Sequence, residues 1–236
     1  MTGKGQFLIL TSIMMTTAIL ILTAMVTNSN IRILNSQKIT VPLPLINAVE
    51  DFPRAFKVSL KLSSISYNSS NHNLSYANST AYTFINNWMD NFTYIHDGRG
   101  VSVYINHFNV SFQWNNSNYW WSNATCSIII DGKPAGFSEI NKTIRYGIVI
   151  TDLVKLDNQI NVTAYMFNSG IPVKLNVLQV KVNGSTVNDW IQHYYGLGVN
   201  GVEIDNTSLN NASSIEILFE FQGILIKVHR DYSASP

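Results

Sequence analysis

Charge is the scarcest property of this chain: only 12% of its 236 residues are Asp, Glu, Lys or Arg, roughly half the ~25% of ordinary soluble domains. The formal net charge is +1, so no long-range field exists to attract nucleic acid or an acidic surface. Cysteine is nearly absent. Cys126 has no second thiol in the chain, which excludes an intramolecular disulfide. Its neighbours Thr125-Cys126-Ser127-Ile128-Ile129-Ile130 read as an apolar strand, and predict a buried, inert thiol. The usual marks of catalysis are missing as well. There is no HExxH, no Cys/His cluster and no GxSxG, and His72, His96, His107, His193 and His229 are scattered. Gly196-Leu197-Gly198-Val199-Asn200-Gly201 spells GxGxxG, but Val202-Glu203-Ile204-Asp205 after it reads as a strand where a nucleotide site needs a helix. It is read as a flexible loop. Glu203 and Asp205 could share one strand face, yet a glycosidase built on them would also need a cleft. No catalytic residue, metal ligand or cofactor is expected, and the chain is not read as an enzyme.

One long hydrophobic run is present. Phe7 to Val26 contains no charge, proline or glycine, and twenty helical residues span about 30 Å, the thickness of a hydrocarbon core. The run exceeds the apolar core of a cleaved signal peptide and no small-x-small site follows it cleanly, so retention as a membrane helix is expected. Ser12, Thr16 and Thr23 fall on nearly one face, a small-residue stripe that either packs against another helix or is simply tolerated. Lys4 on one side and Arg32 and Lys38 on the other leave the positive-inside count close to a tie.

Lys4-Gly5-Gln6-Phe7-Leu8 directly before this run resembles the class III signal of archaeal type IV pilin-like surface proteins, over about the first 26 residues. The resemblance implies cleavage between Gly5 and Gln6. It also implies a helix that serves first as anchor and then as the packed core of a filament, with copies of the same chain as partners. The chain departs from many members at Leu10, where they carry a glutamate; a plain signal anchor is the alternative.

What replaces charge is asparagine. The chain has 28 Asn and 40 Ser plus Thr, from which chance gives about five Asn-x-Ser/Thr sequons. There are twelve, at Asn68, Asn73, Asn78, Asn91, Asn109, Asn115, Asn123, Asn141, Asn161, Asn183, Asn206 and Asn211, all beyond the apolar run. N-linked glycans on these would supply the hydration that charge does not, and would place the following domain outside the cell.

The organisation read from the pattern is a signal or transmembrane helix (1–27), a stalk (28–46), a partly helical region (47–98) and an antiparallel, Ig-like β-sandwich ectodomain (99–236), mainly β in class. In the third segment, Asn47-Ala48-Val49-Glu50 resembles a capping box, which favours a helix kinked at Pro53. Phe56-Val58-Leu60-Leu62 also alternates as a strand would. Asn68 to Ser79 reads as a polar loop. Thr80 is the expected cap of a helix with the stripe Ala81, Ile85, Trp88, Phe92 and Ile95, and Gly98 its stop.

Beyond that, alternation predicts strands at 101–105, 110–114, 144–150, 160–166, 173–177, 180–182, 215–221 and 224–228, with a type I′ turn at Asn183-Gly184 and another break at Gln222-Gly223. Two aromatic clusters remain. Trp114, Tyr119, Trp120 and Trp121 flank a sequon, and Trp190, His193, Tyr194 and Tyr195 form the second. The doublet Trp120-Trp121 cannot point both rings inward from a regular strand. Trp120, Trp121, Trp190 and Tyr194 are therefore the candidate contact residues, for a glycan or an envelope protein. Together these features indicate a glycosylated protein of the cell membrane with a structural or assembly role, or else a surface binding module; an anchored hydrolase has least in its favour.

Overall fold

Among the described residues two long helices, then ten strands, follow one another. The computed structural model describes residues 43–115, 118–132, 139–204, 209 and 211–232. Gly5, Gln6, the apolar run Phe7 to Val26 and the stalk up to Pro42 lie outside the described residues, as do Asp205 and Asn206. Among the described residues no helix is long and apolar enough to cross a membrane.

Helix α1 (Leu43–Ser69) buries Leu45, Ala48, Phe52, Phe56, Ser59, Leu60 and Ser63 at three- and four-residue steps. It starts before the expected boundary and runs through Pro53. An interior proline costs about 3 kcal/mol; here Phe52 and Phe56, fully buried on either side of it, outweigh that cost. The expected loop from Asn68 to Ser79 shrinks to a short turn, because helix α2 (Leu74–His96) already begins at Leu74. Its cap is not Thr80 but Asn73, whose Oδ1 accepts the Tyr76 N–H at 3.0 Å. Thr80 lies inside the helix and donates to the Tyr76 carbonyl. Ala81, Ile85 and Phe92 are buried as the stripe predicts, whereas Ile95 is 68% exposed. Gly98 falls in a single 3-10 turn, Asp97–Arg99, and Gly100 (φ 66°) takes the left-handed conformation that leads into the first strand.

The strands are β1 (Ser102–Gln113), β2 (Trp120–Asp131), β3 (Ile140–Lys155), β4 (Gln159–Met166), β5 (Asn176–Val182), β6 (Ser185–Val187), β7 (Trp190–Gly196), β8 (Val199–Ile204), β9 (Ser214–Phe221) and β10 (Ile224–Asp231). The two short strands expected at 101–105 and 110–114 are one strand with a register shift between Ile105 and His107. All pairings are antiparallel, in a six-stranded sheet ordered β1-β2-β3-β4-β8-β7 and a four-stranded sheet ordered β10-β9-β5-β6. The described residues are thus mainly β, with antiparallel sheets and two long helices. Their strand order is not that of immunoglobulin domains, which corrects the Ig-like expectation. The GxGxxG letters form the β7–β8 hairpin, a tight turn at Leu197-Gly198 rather than a flexible loop. Asn183-Gly184 (φ 50° and 78°) and Gln222-Gly223 (φ 53° and 85°) both take the doubly positive conformation of a type I′ turn.

Helices and sheets share one apolar core. Strand β10 ends its sheet, and a bare edge invites pairing with other chains. Here side chains satisfy its backbone. Ser64 Oγ on α1 accepts the Leu225 N–H at 3.0 Å, Ser122 Oγ on β2 donates to the Leu225 carbonyl at 2.7 Å, and Trp120 Nε1 donates to the His229 carbonyl at 3.3 Å. Buried serines on α1 and β2 are therefore the stitches between the helix, the large sheet and the strand between them.

Candidate functional site

The six-stranded sheet has one face in the core and one outside it. Strict alternation in β2 buries Trp120, Ser122, Ala124, Cys126, Ile128 and Ile130, and turns Trp121, Asn123, Thr125, Ser127 and Ile129 outward. Register carries that outward face across the sheet: Asn109 is opposite Thr125, Asn141 opposite Ile129, and Asn161 opposite Gly201. Four sequon asparagines, on β1 to β4, consequently share one face. Of the twelve sequon asparagines eleven are described, and none is buried.

They are not equivalent. Asn183 Oδ1 accepts from Ser213 N (2.7 Å), Ser213 Oγ (2.9 Å) and Ser214 N (3.1 Å), while its Nδ2 donates to the Asn211 carbonyl at 3.2 Å. That carboxamide latches the β5–β6 turn to the chain entering β9. Asn78 Oδ1 is buried without a partner.

The tryptophan doublet divides as a strand requires. Trp120 is fully buried, which removes it as a contact residue; Trp121 sits on the outer face, half-buried, its Nε1 donating to Ser111 Oγ at 2.9 Å. Trp190 is half-buried against the core, and Tyr194 is 40% exposed beneath the Lys174 ammonium. Trp114 is buried in an aromatic group with Tyr67, His72 and Phe112. Burial lowers the His72 pKa, Lys227 lowers it further, and Glu216 only partly opposes them. Glu216 itself is pushed up by burial but held below the usual carboxylate range by its bond from Lys181 and the charges of Lys227, Lys181 and His229.

A group of outward-facing rings and polar side chains lies on β4, β8 and the edge strand β7. His193 and Tyr195 are nearly parallel, 5.9 Å apart. His193 Nε2 meets Glu203 Oε2 at 3.0 Å, Asn158 Nδ2 donates to Glu203 Oε1 at 3.1 Å, and Gln159 Nε2 donates to Tyr195 Oη at 2.8 Å. Tyr195 is 57% exposed. The Glu203/Asp205 pair considered from sequence has Glu203 committed to these bonds, and Asp205 lies outside the described residues.

A concave region, about 340 Å3, lies between the start of α1 and the end of α2, lined by Asn47, Glu50, Asp51, Arg54, Phe92 and His96. Burial and the Arg99 charge lower the His96 pKa. Cys126 is buried as expected, its pKa pushed up to about 12 by burial. Among the described residues no three His, Cys, Asp or Glu side chains are grouped to hold a metal ion.

No family model, curated protein or solved structure matches this chain.

The sequence names the rings of the second aromatic cluster but not their setting. Glu203 and Gly201 reach them through the local β7–β8 hairpin, whereas Gln159 joins only because β4 pairs with β8, a long-range pairing that no local spacing encodes. Recognising Trp190–Gly196 as a strand would have been the one available signal.

Proposed function

We propose that this chain is a membrane-anchored, N-glycosylated protein of an archaeal cell surface with a structural or assembly role. In this reading Phe7 to Val26 is the anchor, the two sheets form a sandwich-like ectodomain outside the cell, and cleavage between Gly5 and Gln6 would admit the chain to a pilin-like filament. It is not read as an enzyme. The observation that carries the reading is that every described sequon asparagine lies at or near the surface, four of them on a single sheet face. A glycan must project into solvent, and a low-charge surface needs another source of hydration.

Intact mass and N-terminal sequencing of the protein from native membranes test it together. Glycan mass with a start at Gln6 supports the pilin-like route, and glycan mass with a start at Met1 or Thr2 supports plain anchoring. An unmodified chain recovered from the cytosol without detergent would sink both. A second reading, a surface module that binds glycan or an envelope protein, is favoured by the exposure of Tyr194 and Tyr195 on an edge strand. Binding on a glycan array would promote it.

A further inference from the structure

We infer that the first sugar of a glycan on Asn161 lies across the Tyr195 ring, docked on the sheet rather than held out in solvent. The inference rests on the reading of the chain as a glycoprotein and adds where one glycan goes. Asn161, Gly201 and His193 form a single row across β4, β8 and β7. Gly201 leaves the middle of that row without a side chain. The point where its Cβ would stand is 2.7 Å from Tyr195 Cε2 and 3.0 Å from Asn161 Oδ1, and in contact with Gln159 Nε2. The carboxamide and the ring therefore meet over the glycine, within reach of one pyranose.

The chemistry of the group suits a sugar. A pyranose presents polarised C–H bonds on one face, and these are attracted to the negative face of an aromatic ring. His193, stacked nearly parallel to Tyr195, braces that ring, and the Glu203 carboxylate bonded to His193 can accept hydroxyl hydrogens. Gln159 Nε2 donates to both Asn161 Oδ1 and Tyr195 Oη, which orients the amide beside the ring and points its nitrogen, the atom that carries the glycan, away from that bond. No other sequon on this face combines these features. Asn109 and Asn141 are opposite Thr125 and Ile129. Asn123 is opposite Gly147, but the nearest atoms to a Gly147 Cβ position are the Ser122 carbonyl oxygen and the Cα and Cβ of Asn123 itself, with no ring among them.

The test uses the full chain made in a host that adds N-glycans, with site occupancy read by glycopeptide mass spectrometry and stability by thermal unfolding. Thr163→Val removes the sequon while keeping Asn161 and a β-branched neighbour; if it folds poorly, enzymatic removal of glycans provides the same background. Asn161 is expected to be occupied. Tyr195→Ala should lower the Tm by about 2–4 °C more when the glycan is present than in the Thr163→Val background, where only its bond from Gln159 and its contact with His193 are lost. An equal loss in both backgrounds would make Tyr195 merely structural and overturn the inference. Occupancy at other sequons with Asn161 bare would also overturn it, while leaving the glycoprotein reading intact. If none of the sequons carries sugar, both fall. Binding of free oligosaccharide to Tyr195 in the Thr163→Val protein would assign the ring to an external ligand and overturn the docking of this glycan.

Discussion

The two faces of the six-stranded sheet are built from alternate residues of the same strands, yet they obey different rules. On the inner face, shape and hydrogen-bond completeness decide what can stand there; on the outer face, hydration decides. Trp120 and Trp121 make the contrast plain. They are identical neighbours, but Trp120 is fully enclosed and stitched to the His229 carbonyl, whereas Trp121 is half-open and bonded only to Ser111. Asparagine follows the same division. It carries sequons outward at Asn109, Asn123, Asn141 and Asn161, and appears once on the inner face, as Asn200. There it accepts the Leu175 N–H at 2.8 Å and donates to the Val173 and Gly198 carbonyls at 3.0 and 2.7 Å. A buried amide is tolerated because its bonds replace those it gave up to water.

The comparison breaks most sharply at the doublet. Trp120→Ala should cost about 4 kcal/mol through the cavity it leaves, and Trp121→Ala about 1 kcal/mol or less, both measured by denaturant unfolding. Similar costs would mean the faces are not distinct. Asn200→Leu is close in size but leaves the Leu175 N–H and the Val173 carbonyl unpaired, while the Gly198 carbonyl keeps its bond from the Ala164 N–H, so a loss of about 3 kcal/mol is expected. A neutral result would show that water can reach that seam.

A smaller effect tests the end of the inner face, where His72 lies against Tyr67 and Trp114. Its folded pKa is below the ordinary 6.5, so the unfolded chain takes up the proton first as pH falls. Stability is therefore unaffected well above pH 6.5, declines as pH drops through it, and levels off below the folded pKa. His72→Asn, which tolerates the positive φ of 65°, should flatten part of that decline in thermal unfolding from pH 7 to 5. The lowered pKa of His96 leaves the remainder. An unchanged slope would remove His72 from the account. The smallest perturbation concerns sugar rather than folding. Because the Asn183 carboxamide is bonded through both its oxygen and its nitrogen, glycopeptide mapping should find lower occupancy there than at Asn73 or Asn91; full occupancy would show that attachment precedes the latch.

Much of the architecture was legible in local pattern. Alternation located most strands, and Asn183-Gly184 announced its hairpin, because strand faces and doubly positive turns depend on residues close in sequence. The Ala81, Ile85 and Phe92 stripe did the same for α2. The early start of α2 was missed, since Asn73 is one asparagine among many and only the bond to Tyr76 distinguishes it as a cap. The helix expected on both sides of Pro53 is present, and its local penalty is overridden by packing of Phe52 against Trp88 and of Phe56 against Phe108, residues far along the chain. Of the outer-face ring group, the rings were legible and their polar surroundings were not.

Composition and periodicity by themselves determined that this chain has little charge, an apolar run, an excess of sequons and a mainly β domain, because each follows from residue type or from a period of two. Only the tertiary structure decided which tryptophan of the doublet is enclosed, that Asn200 turns inward, and that Asn161 and Tyr195 meet over Gly201. The physical reason is that these depend on which strands lie side by side, and that choice is made by packing across the core between residues far apart in the chain.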